Sequence, residues 1–170
     1  MKKTIILATS CCGKSTAVKE CPLKCIDFDS APYRSKNAEW EKQYAEDLLD
    51  MTEESDLLDM VEEYDVIFAS YYDEVAAKIS EHIETTKNGW NLHIVIPKND
   101  PLVKQMIIGR MTLRDTENRY NRWVHRQIKQ YDALTDGERI KILAPNAEIW
   151  QIDFEHPYIT SMPFYQNLLL

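Results

Sequence analysis

The sequence predicts an α/β fold of three layers, helices covering both faces of a mostly parallel five-stranded sheet, with a helical lid. Three observations predict it. Short apolar runs, rich in β-branched residues, alternate along the chain with segments of helical period, the pattern of a parallel sheet buried on both faces. The first run flows directly into Cys11-Cys12-Gly13-Lys14-Ser15-Thr16, the strand–loop–helix setting in which G-x-x-x-x-G-K-[ST] binds phosphate. The chain has 170 residues, 44% of them apolar, enough for a single domain, 1–170, with its own core.

The first strand is Thr4-Ile-Ile-Leu-Ala-Thr-Ser10. In the loop that follows, backbone N–H groups from Cys12 and Gly13 to Thr16 would face phosphate oxygens. Lys14 would bridge the β- and γ-phosphates of a triphosphate, and the Ser15 hydroxyl would ligate Mg²⁺. The first glycine of the motif is replaced by Ala8, which is tolerable where φ stays negative. The next helix closes near Glu20, before Pro22.

Lys24-Cys-Ile-Asp-Phe-Asp-Ser30 is the second strand. Ligands gather at the carboxyl ends of strands in open α/β sheets. Of its two acids, Asp29, at the strand tip, is taken as the one aimed at the phosphates, as a Mg²⁺ ligand or as the group that orients the acceptor. Residues of about 31–63 form the acceptor side. Within them Trp40, Tyr44, Leu48 and Leu49, then Leu57, Leu58 and Val61, recur at helical spacing, with a break near Met51-Thr52. Asp65-Val-Ile-Phe-Ala-Ser70 is the third strand, and Ser70 with Asp73 reads as a capping box for a helix carrying Val75, Ile79 and Ile83. His82 reads as a residue at the edge of the core. Leu92-His-Ile-Val-Ile-Pro97 is the fourth strand, and Asp100-Pro101 starts the next helix as N-cap and first helical residue.

A lid is expected over about 109–126. Arg110 and Arg114 stand one helical turn apart. Thr116 would cap a second helix with Tyr120, Trp123, Val124, Ile128 and Tyr131 on its apolar positions. Guanidinium groups keep their charge and bind phosphate bidentately, so Arg110 and Arg114 are read as catalytic. Asp136-Gly137 reads as a turn, and Glu148-Ile-Trp-Gln-Ile-Asp153 as the fifth strand. The tail from His156 is apolar enough to dock on the sheet.

Composition narrows the partners. The net charge of −8 disfavours general nucleic-acid binding. No run is long enough for a membrane span, and the opening apolar run is too short for a signal sequence, so the chain reads as cytoplasmic. The cysteines Cys11, Cys12, Cys21 and Cys25 read as thiols of a reducing compartment, with a zinc set drawn from the four as the alternative. Cys12, near a helix N-terminus, is expected to have a lowered pKa and to be oxidation-sensitive.

With these motifs in place, the chain resembles the P-loop nucleoside-monophosphate kinase superfamily. Arg110-Met-Thr-Leu-Arg114-Asp-Thr-Glu117 is similar to the lid of guanylate kinases, Arg-Leu-x-x-Arg-Gly-Thr-Glu. The third lid arginine of that family has no match at its spacing, and residues 31–63 hold no counterpart of its small β-lobe. The whole chain looks more like the small P-loop kinases of bacteriophages. Asp27-Phe-Asp29-Ser30, Trp40 with Tyr44, and Tyr64-Asp65-Val-Ile-Phe-Ala-Ser70 fit that pattern in order. The resemblance implies a P-loop NTPase fold, ATP and Mg²⁺ as cofactors, and a nucleotide or nucleoside as acceptor. A homodimer is left open. The alternatives are a nucleotide-binding regulator with little transfer, and a kinase acting on modified nucleotides in DNA.

Overall fold

Strands β1 (Thr4–Ala8), β2 (Cys25–Phe28), β3 (Val66–Ser70), β4 (Asn91–Pro97) and β5 (Glu148–Ile152) lie in the order β2-β3-β1-β4-β5. All four pairings are parallel. The structure is a computed structural model and describes residues 3–34, 38–52, 64–87, 89–115 and 122–169; for residues 114, 115 and 122–124 it describes the backbone alone. Around the sheet stand α1 (Lys14–Glu20), α2 (Trp40–Asp50), α3 (Asp73–Thr86), α4 (Pro101–Asp115), α5 (Arg122–Leu134), α6 (Gly137–Leu143) and α7 (Pro163–Leu168). A 3₁₀ turn, Ile159–Ser161, precedes α7.

The central strand shows why its sequence is a continuous apolar run. Ile5, Ile6 and Leu7 are all fully buried, because both faces of a parallel sheet are covered. Side chains alternate between faces. Ile5 and Leu7 pack with Tyr44 and Leu48 of α2, Val75 and Ile79 of α3, and Ile140 of α6. Ile6 and Ala8 pack with Ala17 of α1, Val103 and Ile107 of α4, Tyr131 of α5, and Phe164 and Tyr165 of α7. The three layers are therefore helices, sheet, helices. The tail docks as its composition predicts: Ile159, Met162 and Tyr165 are buried, and the Tyr165 hydroxyl donates to the Ala17 carbonyl at 2.9 Å.

Local signals hold at several element ends. α1 stops at Glu20, ahead of Pro22. Asp100 Oδ1 accepts from the N–H groups of Leu102 and Val103, at 2.8 and 3.1 Å, which caps α4. Two expectations need correction. Asp136-Gly137 is not a free turn but the start of α6, where Asp136 Oδ1 accepts from the Arg139 N–H at 3.0 Å. A seven-residue helix opening with glycine shows too few turns for its period to register. Ser70 and Asp73 do not form a capping box. Tyr72 is the N-cap of α3 and makes no side-chain cap bond; Asp73 instead takes both Nη groups of Arg139, at 2.7 and 3.0 Å. The expected apolar positions Leu57, Leu58 and Val61, and Thr116 with Tyr120, lie outside the described residues. No helix among the described residues is long and apolar enough to cross a membrane.

Candidate active site

The site lies where β1, β2 and β3 end. The loop after β1 is tied to the sheet at its base: Thr9 N–H donates to the Val95 carbonyl at 3.1 Å, and Tyr71 N–H to the Ala8 carbonyl at 3.0 Å. Ala8 is the last strand residue, and its φ is not positive, so its Cβ is tolerated. The left-handed positions come later, at Cys11 (φ 65°) and Gly13 (φ 89°). Left-handed residues of this kind recur in loops whose successive N–H groups bind anions. A Cβ on Gly13 would meet Tyr158 Cδ1 at 3.0 Å; only glycine fits both the angle and the ring above it.

Cys12 contributes its backbone. Its side chain turns into the core and is fully buried, and the Cys12 thiol and Thr9 hydroxyl pair at 3.1 Å. Burial pushes the thiol up to about 12, so the expected lowering and oxidation sensitivity are corrected: desolvation outweighs the helix end.

Lys14 Nζ donates to Asp27 Oδ1, and Ser15 Oγ donates to Asp27 Oδ2 at 3.3 Å. Thr16 is exposed on the first turn of α1. The acid brought to the loop is thus Asp27, not the favoured Asp29. In an extended strand residues i and i+2 share a face, so alternation does not separate the two. Register does the placing: Asp27 lies beside Phe68, on the face that α1 covers. β2 ends at Phe28, and Asp29 is exposed in an Asx turn, its Oδ1 accepting from the Ala31 N–H at 3.2 Å.

Arg110 reaches the loop from α4. Its Nη1 donates to the Pro157 carbonyl at 2.8 Å and the Cys11 carbonyl at 3.3 Å, and its guanidinium lies 4.2 Å from the centre of the Tyr158 ring. Arg114 follows one turn later on α4; its side chain lies outside the described residues.

Beside the loop opens a cavity of about 310 Å³, lined by Ser10, Arg34, Trp40, Glu41, Tyr72 and Arg126 among others. Trp40 meets Tyr72 edge-on at 4.8 Å. Ser30 is fully buried beneath the wall. Its Oγ accepts from Arg34 Nε and Nη2, at 3.2 and 2.8 Å, and pairs with the Ser70 and Tyr72 hydroxyls at 3.2 and 3.0 Å. At the far end burial alone would raise the Asp73 carboxyl, but the Arg139 and Tyr71 hydrogen bonds hold it below its ordinary value. Glu41 is raised by burial and by Glu74, against the pull of Arg126.

These residues fit a magnesium–nucleoside triphosphate: a left-handed cradle, a lysine, and a hydroxyl and carboxylate already converged. The zinc alternative finds no support: the four cysteines are free thiols, and no group of three metal-ligating side chains forms among the described residues.

No protein-family model and no curated protein matches the sequence. The structure is similar to the crystal structure of a gluconokinase from Sinorhizobium meliloti 1021, with a TM-score of 0.53 at 10% sequence identity, covering 99% of this chain and 93% of that chain. The likeness is one of fold. The structure brings Lys14 and Ser15, expected from the motif, and Arg110, expected from helical spacing, to one loop. The sequence reading weighs Asp27 but favours Asp29, and it singles out neither Arg34 nor Tyr158. Arg34 sits in a segment with no readable period, and Tyr158 stands far along the chain from Gly13.

Proposed function

We propose that this protein transfers a phosphoryl group from Mg-ATP to a nucleotide or nucleoside bound in the aromatic cavity. One observation carries the reading: Lys14 and Ser15 converge on Asp27 beneath a left-handed loop that opens beside an arginine-bearing cavity. Mg-ATP, when bound, supplies the phosphoryl group and a metal that neutralises its charge. The N–H groups of Cys12 to Thr16 and the Lys14 ammonium bind the phosphates. Ser15 and Asp27 would hold the metal. Asp29, in the turn after β2, orients the acceptor. Arg110 and Arg114 belong to a lid in this reading; Arg110 anchors it to the loop at Cys11 and to the tail at Pro157, and Arg114 offsets charge on the phosphoryl oxygens.

The cavity supports the acceptor class. Trp40 and Tyr72 offer flat faces and edges to a base. Arg34 donates to the Ser30 hydroxyl, and its charge suits an acceptor phosphate. The lid spacing and the order of motifs remain similar to those of phage-type and guanylate kinases.

The test is transfer from γ-labelled ATP to nucleosides, nucleoside monophosphates and gluconate, the acceptor that the structural neighbour's name denotes. Labelling of a monophosphate or nucleoside, lost in Lys14→Ala, supports the proposal. Labelling of gluconate alone overturns the acceptor class. Ser70, where many P-loop proteins place an acid at the tip of this strand, favours the regulatory reading. Tight Mg-ATP binding with no transfer to any acceptor would establish it.

A further inference from the structure

The segment after β5 closes over the phosphate loop and grips three successive residues of it. Asp153 first turns the chain, its Oδ1 accepting from the Glu155 and His156 N–H groups at 2.9 and 2.7 Å. Pro157, Tyr158 and Ile159 then meet the loop. Ile159 is fully buried, and its N–H donates to the Cys12 carbonyl at 3.0 Å. The Tyr158 ring lies against Gly13. Arg110 Nη1 donates to both the Pro157 and the Cys11 carbonyls, and the Arg110 guanidinium stands over the Tyr158 ring. The Tyr158 backbone is pinned from the far side, where Ser161 Oγ donates to its carbonyl at 2.7 Å and accepts from its N–H at 3.3 Å. Cys11 is the loop residue most in need of such a grip. Its φ of 65° is left-handed, and a non-glycine residue stays there only where its surroundings impose it.

We propose that Tyr158 is a positioning residue for nucleotide binding: its ring seats Arg110 on the Cys11 carbonyl, and that contact keeps the phosphate loop in its left-handed shape. The hold on the loop stands on these contacts; its effect on Mg-ATP rests on the proposed function. A guanidinium is drawn to the face of an aromatic ring and lies flat on it. Stacking fixes its plane, and the two carbonyls fix its rotation. Without the ring the long side chain regains its rotamers, the Cys11 carbonyl loses its donor, and the left-handed residue loses its restraint. The ring face does this work, not the hydroxyl, so phenylalanine should replace tyrosine. Leucine should not, although it keeps an apolar group over Gly13.

The test measures Mg-ATP affinity of the full chain by titration calorimetry, and amide hydrogen exchange over residues 9–17 without nucleotide. Tyr158→Leu and Arg110→Ala should each weaken Mg-ATP binding about fourfold, the factor a partly exposed cation–ring contact carries, and speed exchange over the loop. In turnover the loss should fall on the ATP KM and spare the acceptor KM. The double variant should bind no worse than Arg110→Ala alone, because Tyr158 acts through Arg110. Tyr158→Phe should restore both readouts. Unchanged affinity in Tyr158→Leu, or losses that add in the double variant, overturn the proposal. If Tyr158→Leu shows no melting transition, Arg110→Lys carries the test: it keeps the charge without the flat stack and should lose the same factor, and full affinity there overturns the proposal. A wild-type chain that binds no Mg-ATP, while Tyr158→Leu still speeds exchange over the loop, overturns the proposed function and leaves the hold on the loop standing. Exchange that neither variant changes overturns the hold.

Discussion

Gly13 illustrates how much one residue decides. Its φ of 89° and the Tyr158 ring at 3.0 Å from a would-be Cβ penalise any side chain twice. Gly13→Ala should destabilise the fold by about 1–3 kcal/mol, read by urea denaturation, and should abolish the rise in melting temperature caused by Mg-ATP. A variant with unchanged stability would show that the ring simply moves aside. The two acids of β2 should separate under kinetics. Asp27→Asn weakens the tie to Lys14 and removes the proposed metal ligand, so the Mg²⁺ dependence of ATP binding should weaken. Asp29→Asn should spare ATP binding and raise the acceptor KM or lower kcat. The same outcome for both would undo the division of roles drawn from their geometry. Arg114→Ala should cut kcat by about 10²-fold with a smaller change in ATP affinity; an unaltered kcat would remove Arg114 from the mechanism.

At the scale of elements, single side chains hold strand tips in place. The fully buried Tyr44 of α2 donates to the Phe28 carbonyl at 2.5 Å and accepts from the Ser70 N–H at 2.9 Å. It thereby ties the ends of β2 and β3 beside the cavity. Tyr44→Phe leaves both backbone groups short of a partner and should cost about 1–3 kcal/mol, measured by denaturant midpoint. The helical period identified Tyr44 as a buried residue of α2, but not its hydroxyl's partners, because they lie on two other strands. α6 shows the opposite limit. Its N-cap, Asp136, was visible in the sequence, yet an acid before glycine signals turns and helix starts alike.

Across the whole molecule, His93 links the edge of the sheet to the tail. Its Nδ1 accepts from the Trp150 Nε1–H at 3.1 Å, and Phe164 of α7 stacks on its ring at 4.6 Å. Burial lowers its pKa, partly opposed by Glu148. The folded state keeps the imidazole neutral, while the unfolded chain takes up a proton near pH 6.5. The stability this contributes is complete above about 6.5 and is lost as the pH falls from there towards the folded value. The melting temperature should therefore drop between about pH 7.5 and 5.5, and drop less in His93→Phe; equal slopes in the two proteins would clear His93 of the effect.

The chain alone determined the strands, the layers and the Gly13-Lys14-Ser15 turn into α1. Each is written in contiguous residues: a parallel strand buried on both faces must be apolar throughout, and a loop that wraps phosphate needs Gly-Lys-Ser before a helix. Only the tertiary structure decided that Asp27 faces Lys14, that Arg34 rests on a buried serine, and that Tyr158 covers Gly13. Those pairings depend on the sheet order β2-β3-β1-β4-β5 and on where the tail docks. Distant segments settle both by burying apolar surface together, and no local spacing encodes the result.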